Sequence, residues 1–276
     1  MICEIVEGDC VEFLKNGLDR KISLTFLDPP FNQSKEYRSH NDNMSPDEYW
    51  AWMTEVCSLI NRNSTDGAAI YFMQREKNVH HVMRVLEETG WTYRNLIVWK
   101  KKSSAIPNNS RFGLHYQIII FATKGKSPSK FNKLRIDPPL LETEKRRRPN
   151  GMFVTDVWDD IRELTSGYFA GDEPIRETTG ERVHKQQTPV HLLTRIILSS
   201  TLPGDFVFDP FAGTGTTLTV AKQLSRDSIG VEIDSINCDV IRQRVSKLRA
   251  SDDISKLAHY YRFTENLQAI WSAIQE

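Results

Sequence analysis

The 276-residue sequence has no apolar run of the ~18 residues that a membrane-spanning helix needs. Its first residues lack the basic, apolar and small-residue order of a secretory signal, so a soluble cytoplasmic protein is expected. Cysteine is scarce: Cys3, Cys10, Cys57 and Cys238 are scattered without a C-x-x-C pair. That argues against a zinc site or a disulfide framework and suits a reducing compartment. Net charge is absent as well, with 36 basic residues against 36 acidic ones. A nucleic-acid partner would have to meet a local basic patch rather than a basic molecule. There is no internal repeat, and the length suits one large domain or one domain with an insert.

What is present is a glycine turn around which the rest of the chain is organised. In Phe206-Val207-Phe208-Asp209-Pro210-Phe211-Ala212-Gly213-Thr214-Gly215-Thr216-Thr217, the first three residues suit a strand covered on both faces, and Asp209 stands where it ends. Gly213 and Gly215 permit a sharp turn and a close ligand approach. Thr216 or Thr217 is expected to cap the helix that continues through Ala221 and Leu224. Ligands of open α/β sheets bind at the carboxyl ends of strands, so this turn is expected to floor a cofactor site. Position 218 is Leu where a dinucleotide turn has its third glycine, and no lysine follows as in a nucleoside-triphosphate loop. A nucleoside with an amino-acid tail fits better. Seventeen positions past Gly215, Glu232 lies at the end of the next strand, Ser228 to Ile233, where it could accept hydrogen bonds from both ribose hydroxyls. The plainer reading is a tight turn without a ligand. The turn and the acid occurring together at that distance weigh against it.

Two more acids end strands. Ile2 to Val6 leads into Gly8-Asp9-Cys10 and an amphipathic helix carrying Val11, Phe13, Leu14 and Leu18. Asp9 either contacts a ligand's base amino group or simply caps that helix. Ile22 to Leu27 is a strand ending in Asp28-Pro29-Pro30-Phe31-Asn32. Two prolines cannot extend a ladder and they stiffen the turn, so Asp28 is held at the sheet's upper edge. A base amino group could donate to Asp28 and to the Pro29 carbonyl while its ring stacks on Phe31. A proline-rich turn with a helix cap is the bland alternative. Asp137-Pro138-Pro139 repeats the tripeptide without a preceding strand and reads as a loop.

Elsewhere, strands at Ala68–Met73, Tyr93–Trp99 and Tyr116–Thr123 alternate with helices at Ser45–Asn61 and Glu76–Glu88, which predicts a doubly wound sheet. Trp50 and Met53 in the first helix read as core. Residues 32–46, with Lys35, Tyr37, Arg38 and His40, are either a lid or a solvated loop. Lys100-Lys101-Lys102 follow a strand end. From Lys124 to Asn150 nine Lys/Arg stand against three acids, a net of +6 that includes Arg146, Arg147 and Arg148. Such a patch can neutralise several phosphates, although a charge run is commonly just a solvated face. The sign flips from Gly151 to Glu177, with seven acids against two arginines. Residues 124–183 break the strand–helix rhythm and read as an insertion at the sheet's ligand edge, with Trp158 as its anchor. His184-Lys185-Gln186-Gln187-Thr188-Pro189 leads into a helix from Val190 to Ser200 whose first residues could close over a cofactor tail. A helix at Asn237–Leu248 follows Glu232, and a last apolar helix near Leu267–Ile274 packs across the sheet or in a dimer.

The stretch from Asp209 to Thr217 resembles the AdoMet-binding motif of amino-methylating DNA methyltransferases, and Asp28-Pro29-Pro30-Phe31 resembles their catalytic motif. With the catalytic motif first and an insertion between the two, the order is similar to the β group of these enzymes. The resemblance covers roughly residues 1–250. It implies an α/β, permuted Rossmann-like AdoMet-dependent methyltransferase fold, with a doubly wound mixed sheet and an inserted target-recognition region. The strand at Ile2–Val6 would then pair beside the one at Ser228–Ile233. The implied division is a catalytic half at 1–123, the inserted region at 124–183, an AdoMet-binding half at 184–250 and a helical extension at 251–276.

By the same resemblance, Asp28, Pro29, Pro30 and Phe31 are catalytic. Asp9, Cys10, Asp209, Phe211, Gly213, Gly215, Thr216 and Glu232 hold the cofactor. The family usually shows a His-Pro-Thr-Gln-Lys-Pro-like run before the cofactor helix. This chain departs from it, and Lys185 or Thr188 stands in for that lysine near the cofactor's tail carboxylate. Near His115 the family often has a glutamate next, where this chain has Tyr116. Lys100, Lys101, Arg146, Arg147 and Arg148 are the candidate contacts to double-stranded DNA. The expected product is N6-methyladenine, because an Asp before the prolines leans toward adenine in this family and Ser toward cytosine. Cytosine-N4 is the alternative, and a non-catalytic DNA-binding protein or an RNA or small-molecule methyltransferase ranks below it. No metal is implied. A homodimer and a cognate restriction endonuclease are the further partners to expect.

Overall fold

The computed structural model describes residues 1–33, 42–101, 107, 109–137, 143, 148–164, 171–176, 179–183 and 186–272. The first half alternates strands and helices: β1 (Cys3–Glu7), α1 (Cys10–Lys15), β2 (Ile22–Leu27), α2 (Pro46–Asn63), β3 (Ser64–Gln74), α3 (Val79–Glu88), β4 (Trp91–Lys100) and β5 (Tyr116–Lys124). Three short strands follow, β6 (Arg135–Ile136), β7 (Met152–Phe153) and β8 (Val157–Trp158). The second half holds α4 (Val190–Ser200), β9 (Phe206–Asp209), α5 (Thr216–Gln223), β10 (Asp227–Glu232), α6 (Ser235–Ser246), α7 (Ser255–Tyr260) and α8 (Leu267–Trp271).

Eight strands form one mixed sheet in the order β1-β10-β9-β2-β3-β5-β4-β8. β1, β10, β9, β2 and β3 run parallel, and β5 is antiparallel to both neighbours. The expected pairing of the chain's two ends holds: Cys3 lies opposite Ser228 and Glu7 opposite Glu232. The Ile2 N–H adds a 2.6 Å bond to the Asp227 carboxylate. The carboxyl ends of β1, β10, β9, β2 and β3 therefore share one edge, which gathers Asp9, Glu232, Asp209 and Asp28 although more than 200 positions separate the first from the second.

Both faces of the sheet are covered. On one face α1, α2 and α3 bury Leu27, Ile70, Phe72, Ile118 and Ile120. On the other, α4 and the chain around it bury Leu24, Phe26, Tyr71, Ile97 and Phe121. That two-sided cover explains why β2 and β9 read as continuous apolar runs instead of alternating ones. Helix starts follow local chemistry: Ser45 and Glu48 form a reciprocal capping box with Pro46 at the first turn of α2, and Asp234 caps α6 two residues earlier than the apolar pattern predicts. Residues Glu76–Asn78, expected as helix, form a separate 3-10 turn before α3.

The described parts of residues 124–183, expected as an insertion, are built into this frame. β6 and β7 make a two-stranded ribbon, and β8 extends the main sheet by pairing parallel to β4. Trp158 is buried, as its anchoring role requires, and its indole N–H donates to the Thr155 carbonyl at 2.7 Å. Next to it the buried Arg195 guanidinium forks onto Asp160, which also accepts from the Tyr260 hydroxyl. Burial alone would raise the Asp160 carboxyl, yet the Arg195 fork carries it down to about 2. Ile254, Tyr261 and Ile270 are buried in the same core, so the C-terminal segment packs across the sheet of its own chain. Among the described residues no helix is long and apolar enough to cross a membrane.

Candidate active site

The four strand-end acids line one cavity. Its floor is the glycine turn. Asp209 is buried at the end of β9 and accepts from the Phe211 N–H at 3.0 Å and the Thr217 hydroxyl at 2.5 Å. Burial pushes its carboxyl up to about 7. Gly215 has φ +75°, and a Cβ there would meet Ile241 Cγ2 at 2.8 Å, so only glycine lets α6 lie this close to the turn. Here the sequence expectation needs correction. Neither Thr216 nor Thr217 caps α5: Gly215 occupies the cap position and supplies no side chain. The Thr217 hydroxyl is turned back to Asp209, and that of Thr216 accepts from Arg244 at 3.0 Å.

Glu232 closes one side of the floor. One carboxylate oxygen accepts the Gly213 N–H at 2.7 Å and the other the Asp234 N–H at 2.9 Å. Burial raises its pKa above the usual carboxylate range, and those two amides oppose the rise. The Asn237 side chain bonds this carboxylate as well, and a carboxylate's acceptor capacity still exceeds these three donors. Asp9 takes the capping role and also lies at the cavity. It caps α1 through a single oxygen, accepting from the Val11 and Glu12 N–H groups at 2.8 and 3.0 Å, while its residue lines the cavity. Cys10 lines it too, and burial pushes its thiol well above the usual range. Phe211 meets Trp52 edge-on at 5.4 Å between centroids, giving the cavity an aromatic wall.

Above the floor stands Asp28, just past the end of β2, the strand that pairs with β9. The Thr188 hydroxyl donates to Asp28 Oδ2 at 3.1 Å. Thr188, expected near a cofactor tail, thus bridges the cavity rim to Asp28. The proline turn is braced from behind: the Tyr49 hydroxyl donates to the Pro30 carbonyl at 2.8 Å and accepts from Gln74 Nε2 at 2.9 Å. Among the described residues no protein donor reaches the Pro29 carbonyl. Asn32, with φ +51°, pairs in both directions with the Met44 backbone, and Asp42 accepts the Asn32 and Gln33 N–H groups. These bonds close the neck of the loop that carries Lys35, Tyr37, Arg38 and His40, which lie outside the described residues.

Phe31 differs from expectation. Its ring is buried in the core cluster with Phe26, Met73 and Trp99 and does not line the cavity. The reason is local: Phe31 follows a braced proline turn and faces the apolar underside of that edge. The basic residues also divide. Lys100 is exposed, whereas Lys101 is half-buried with its ammonium 5.7 Å over the Trp99 ring. Burial lowers the Lys101 pKa, and the nearby Glu163 and Asp28 carboxylates oppose this. Lys124 donates to the Asn61 and Ser64 carbonyls, Lys130 pairs with Asp205, and Arg135 lies over Phe153. Arg148 is exposed, with its guanidinium near the Met152 sulfur. Arg146, Arg147 and Lys185 lie outside the described residues.

Reasoning from sequence missed Trp52, Tyr49 and Gln74. Trp52 and Tyr49 stand on a helix whose apolar pattern marks them only as core. The one available signal for Tyr49 and Gln74 is that a buried hydroxyl and a buried amide need partners.

The permuted mixed sheet thus gathers the glycine turn, Glu232, Asp28 and the proline turn around one cavity. The chain belongs to the N6/N4 DNA methylase family, whose profile, described as DNA methylase, matches residues 22–243. The Type II methyltransferase M.HinfI of Haemophilus influenzae is 29% identical over 275 residues, covering 92% of this chain and 71% of the relative. M.BamHI of Bacillus amyloliquefaciens, also a Type II methyltransferase, is 28% identical over 260 residues, covering 88% of this chain and 56% of the relative. The crystal structure of the M1.HpyAVI–SAM complex matches with a TM-score of 0.62 at 22% identity, over 90% of this chain and all (100%) of the other. The cytosine-N4-specific PvuII DNA methyltransferase matches at 0.64 and 20% identity, over 96% and 92%. These two likenesses speak for the fold.

Proposed function

We propose that this chain methylates the N6 amino group of an adenine flipped out of double-stranded DNA, with AdoMet as the methyl donor. The observation that carries the reading is the rigid pair of acceptors at the top of β2: the Asp28 carboxylate and the Pro29 carbonyl, which no donor among the described residues reaches while Tyr49 occupies its neighbour. An aromatic amine has two hydrogens, and this pair offers one acceptor to each.

The residues present suit AdoMet. The Phe211–Trp52 wall would hold an adenine ring, the second oxygen of Asp9 would accept from its amino group, and Glu232 would hold the ribose. In support, M1.HpyAVI was solved with SAM in this fold. Bound there, AdoMet supplies a methyl whose bond to sulfur breaks, with the electron pair leaving on sulfur, as the new bond to nitrogen forms. Asp28 and the Pro29 carbonyl draw the amino group toward tetrahedral geometry and localise its lone pair for in-line attack. After transfer the surplus proton leaves the nitrogen toward Asp28. Asp rather than Ser before the prolines favours adenine. Cytosine-N4 is the second reading, since PvuII methyltransferase carries that specificity on the same fold. The Type II names of the two relatives support a role beside a cognate restriction endonuclease. Lys100, Arg146, Arg147 and Arg148 are proposed phosphate contacts, and Lys185 a contact to the cofactor tail.

The test is to incubate purified protein with labelled AdoMet and unmethylated genomic DNA, then digest the DNA to nucleosides for mass spectrometry. Label in N6-methyladenine is the expected result. Label in N4-methylcytosine would keep the site and replace the base. Unlabelled DNA would refute the reading.

A further inference from the structure

Arg244, Arg249 and Asp252 lie beyond the residues matched by the family profile, and the methyl-transfer chemistry makes no use of them. Yet they form a buried ionic knot behind the cofactor cavity. Asp252 is fully buried, and the Arg244 side chain is 1% exposed. Arg244 forks onto Asp252 at 2.9 and 2.7 Å, and its remaining donors reach the Thr214 carbonyl at 2.9 Å and the Thr216 hydroxyl at 3.0 Å. Thr214 and Thr216 belong to the glycine turn and line the cavity. Arg249 forks onto the same Asp252 at 2.7 and 2.8 Å, and one of its nitrogens also reaches the Glu173 carbonyl at 2.7 Å.

Glu173 lies in the insertion and governs the opposite wall. Its carboxylate accepts the Val190 N–H at the start of α4 at 2.6 Å, and its carbonyl accepts from Gln187 Nε2 at 3.0 Å. Gln186, Gln187 and Thr188 line the cavity, and Thr188 continues to Asp28. Arg249 is therefore the one described residue bonded both to the support of the glycine turn and to the support of the 186–188 wall.

We propose that Arg249 is a positioning residue that ties the two walls of the cofactor cavity together and so sets the protein's affinity for AdoMet. The geometry demands arginine. Its planar fork serves both Asp252 oxygens and the Glu173 carbonyl at once, whereas a lysine ammonium holds the charge without the fork. Held walls need not be ordered when the cofactor binds, so the benefit appears as affinity. The inference about AdoMet rests on the proposed function; the mechanical tie does not.

The experiment compares Arg249→Ala, Arg249→Lys and a control, Arg20→Ala, which removes the ion pair to Asp227 at the far end of β10. By calorimetry the alanine variant should bind AdoMet about 10-fold more weakly, roughly 1.4 kcal/mol. The KM for AdoMet should rise with it while kcat at saturating AdoMet stays within about twofold, and lysine should restore part of the loss. Without ligand, hydrogen exchange at residues 212–217 should quicken in Arg249→Ala and not in the control. Unchanged AdoMet affinity in Arg249→Ala, or a loss equal to that of Arg20→Ala at matched thermal stability, would overturn the proposal. If the wild type bound no AdoMet, the functional reading would fail, and exchange at the glycine turn would still decide whether the tie exists.

Discussion

Asp28 and Asp209 end neighbouring parallel strands, and each is followed by proline and then, within two residues, by phenylalanine. The structure uses them in opposite ways. Asp209 is buried, and both of its oxygens are engaged by the turn that follows, through the Phe211 amide and the Thr217 hydroxyl. Asp28 stands at the cavity and accepts from Thr188, a residue of a distant segment. One carboxylate builds the floor and the other faces what lies on it. The same local signal, an acid where a buried strand ends, thus supports a structural role or a chemical one, depending on where the donors around it come from.

The sharpest way to break this contrast is to remove each acid. Asp28→Ala should lower the methyl-transfer rate by about 10²–10³-fold or more, as loss of a preorganised electrostatic partner does. AdoMet affinity should stay within a few-fold, as measured by calorimetry beside a labelled-AdoMet assay. A variant that kept its rate would put the chemistry elsewhere. Asp209→Ala should act on stability instead, by about 1–3 kcal/mol in denaturant titration, because it strands the buried Phe211 amide and Thr217 hydroxyl.

The pH dependence of stability separates the two acids further. Burial raises Asp209 to about 7 in the folded protein, against about 3.9 in an unfolded chain. Folding takes up a proton between those values, so this group's contribution is full below about pH 4 and is lost as pH rises through about 7. Asp209→Asn should flatten that fall in thermal melts between pH 4 and 8, and parallel curves would assign it to another group. A smaller effect is expected at the cofactor floor, where Glu232→Gln should weaken AdoMet binding about 10-fold by removing the charge from its hydrogen bonds. Equal affinities in calorimetry would remove Glu232 from the ribose. The smallest belongs to Arg148→Glu, which should weaken DNA binding a few-fold and reduce the slope of log K against log salt by about 1. An unchanged slope would make Arg148 merely solvated.

Most of the fold was legible because its signals are local. The buried strand at Ile22–Leu27 and the helix at Val190–Ser200 have the bounds that the apolar pattern predicts. The start of α2 at Ser45 was legible as well, and the resemblance supplied the pairing of the two chain ends. The cap of α5 was misread because two threonines beside a glycine satisfy the propensity for capping, whereas Asp209 and Arg244 claimed their hydroxyls. The core packing of Phe31 was not legible, because an aromatic at a strand end looks the same whether it faces a ligand or the core.

By itself the sequence determined the doubly wound sheet, the edge at which its acids gather and the order of the two motifs. Those rest on strand length, apolar runs and proline or glycine at turns, all of which act over a few residues. Only the tertiary structure decided which acid is satisfied internally, which proline carbonyl is left for a ligand, and that Trp52, Tyr49 and Arg249 support the site. Apart from Asp209, whose donors Phe211 and Thr217 lie 2 and 8 positions on, those outcomes depend on donors or rings brought from distant segments, as with Tyr49 on Pro30, 19 positions apart, and Arg249 on Glu173, 76 apart. A hydrogen bond acts only within about 3 Å. The sequence sets which groups can make one, and the packing of the layers sets which of them meet.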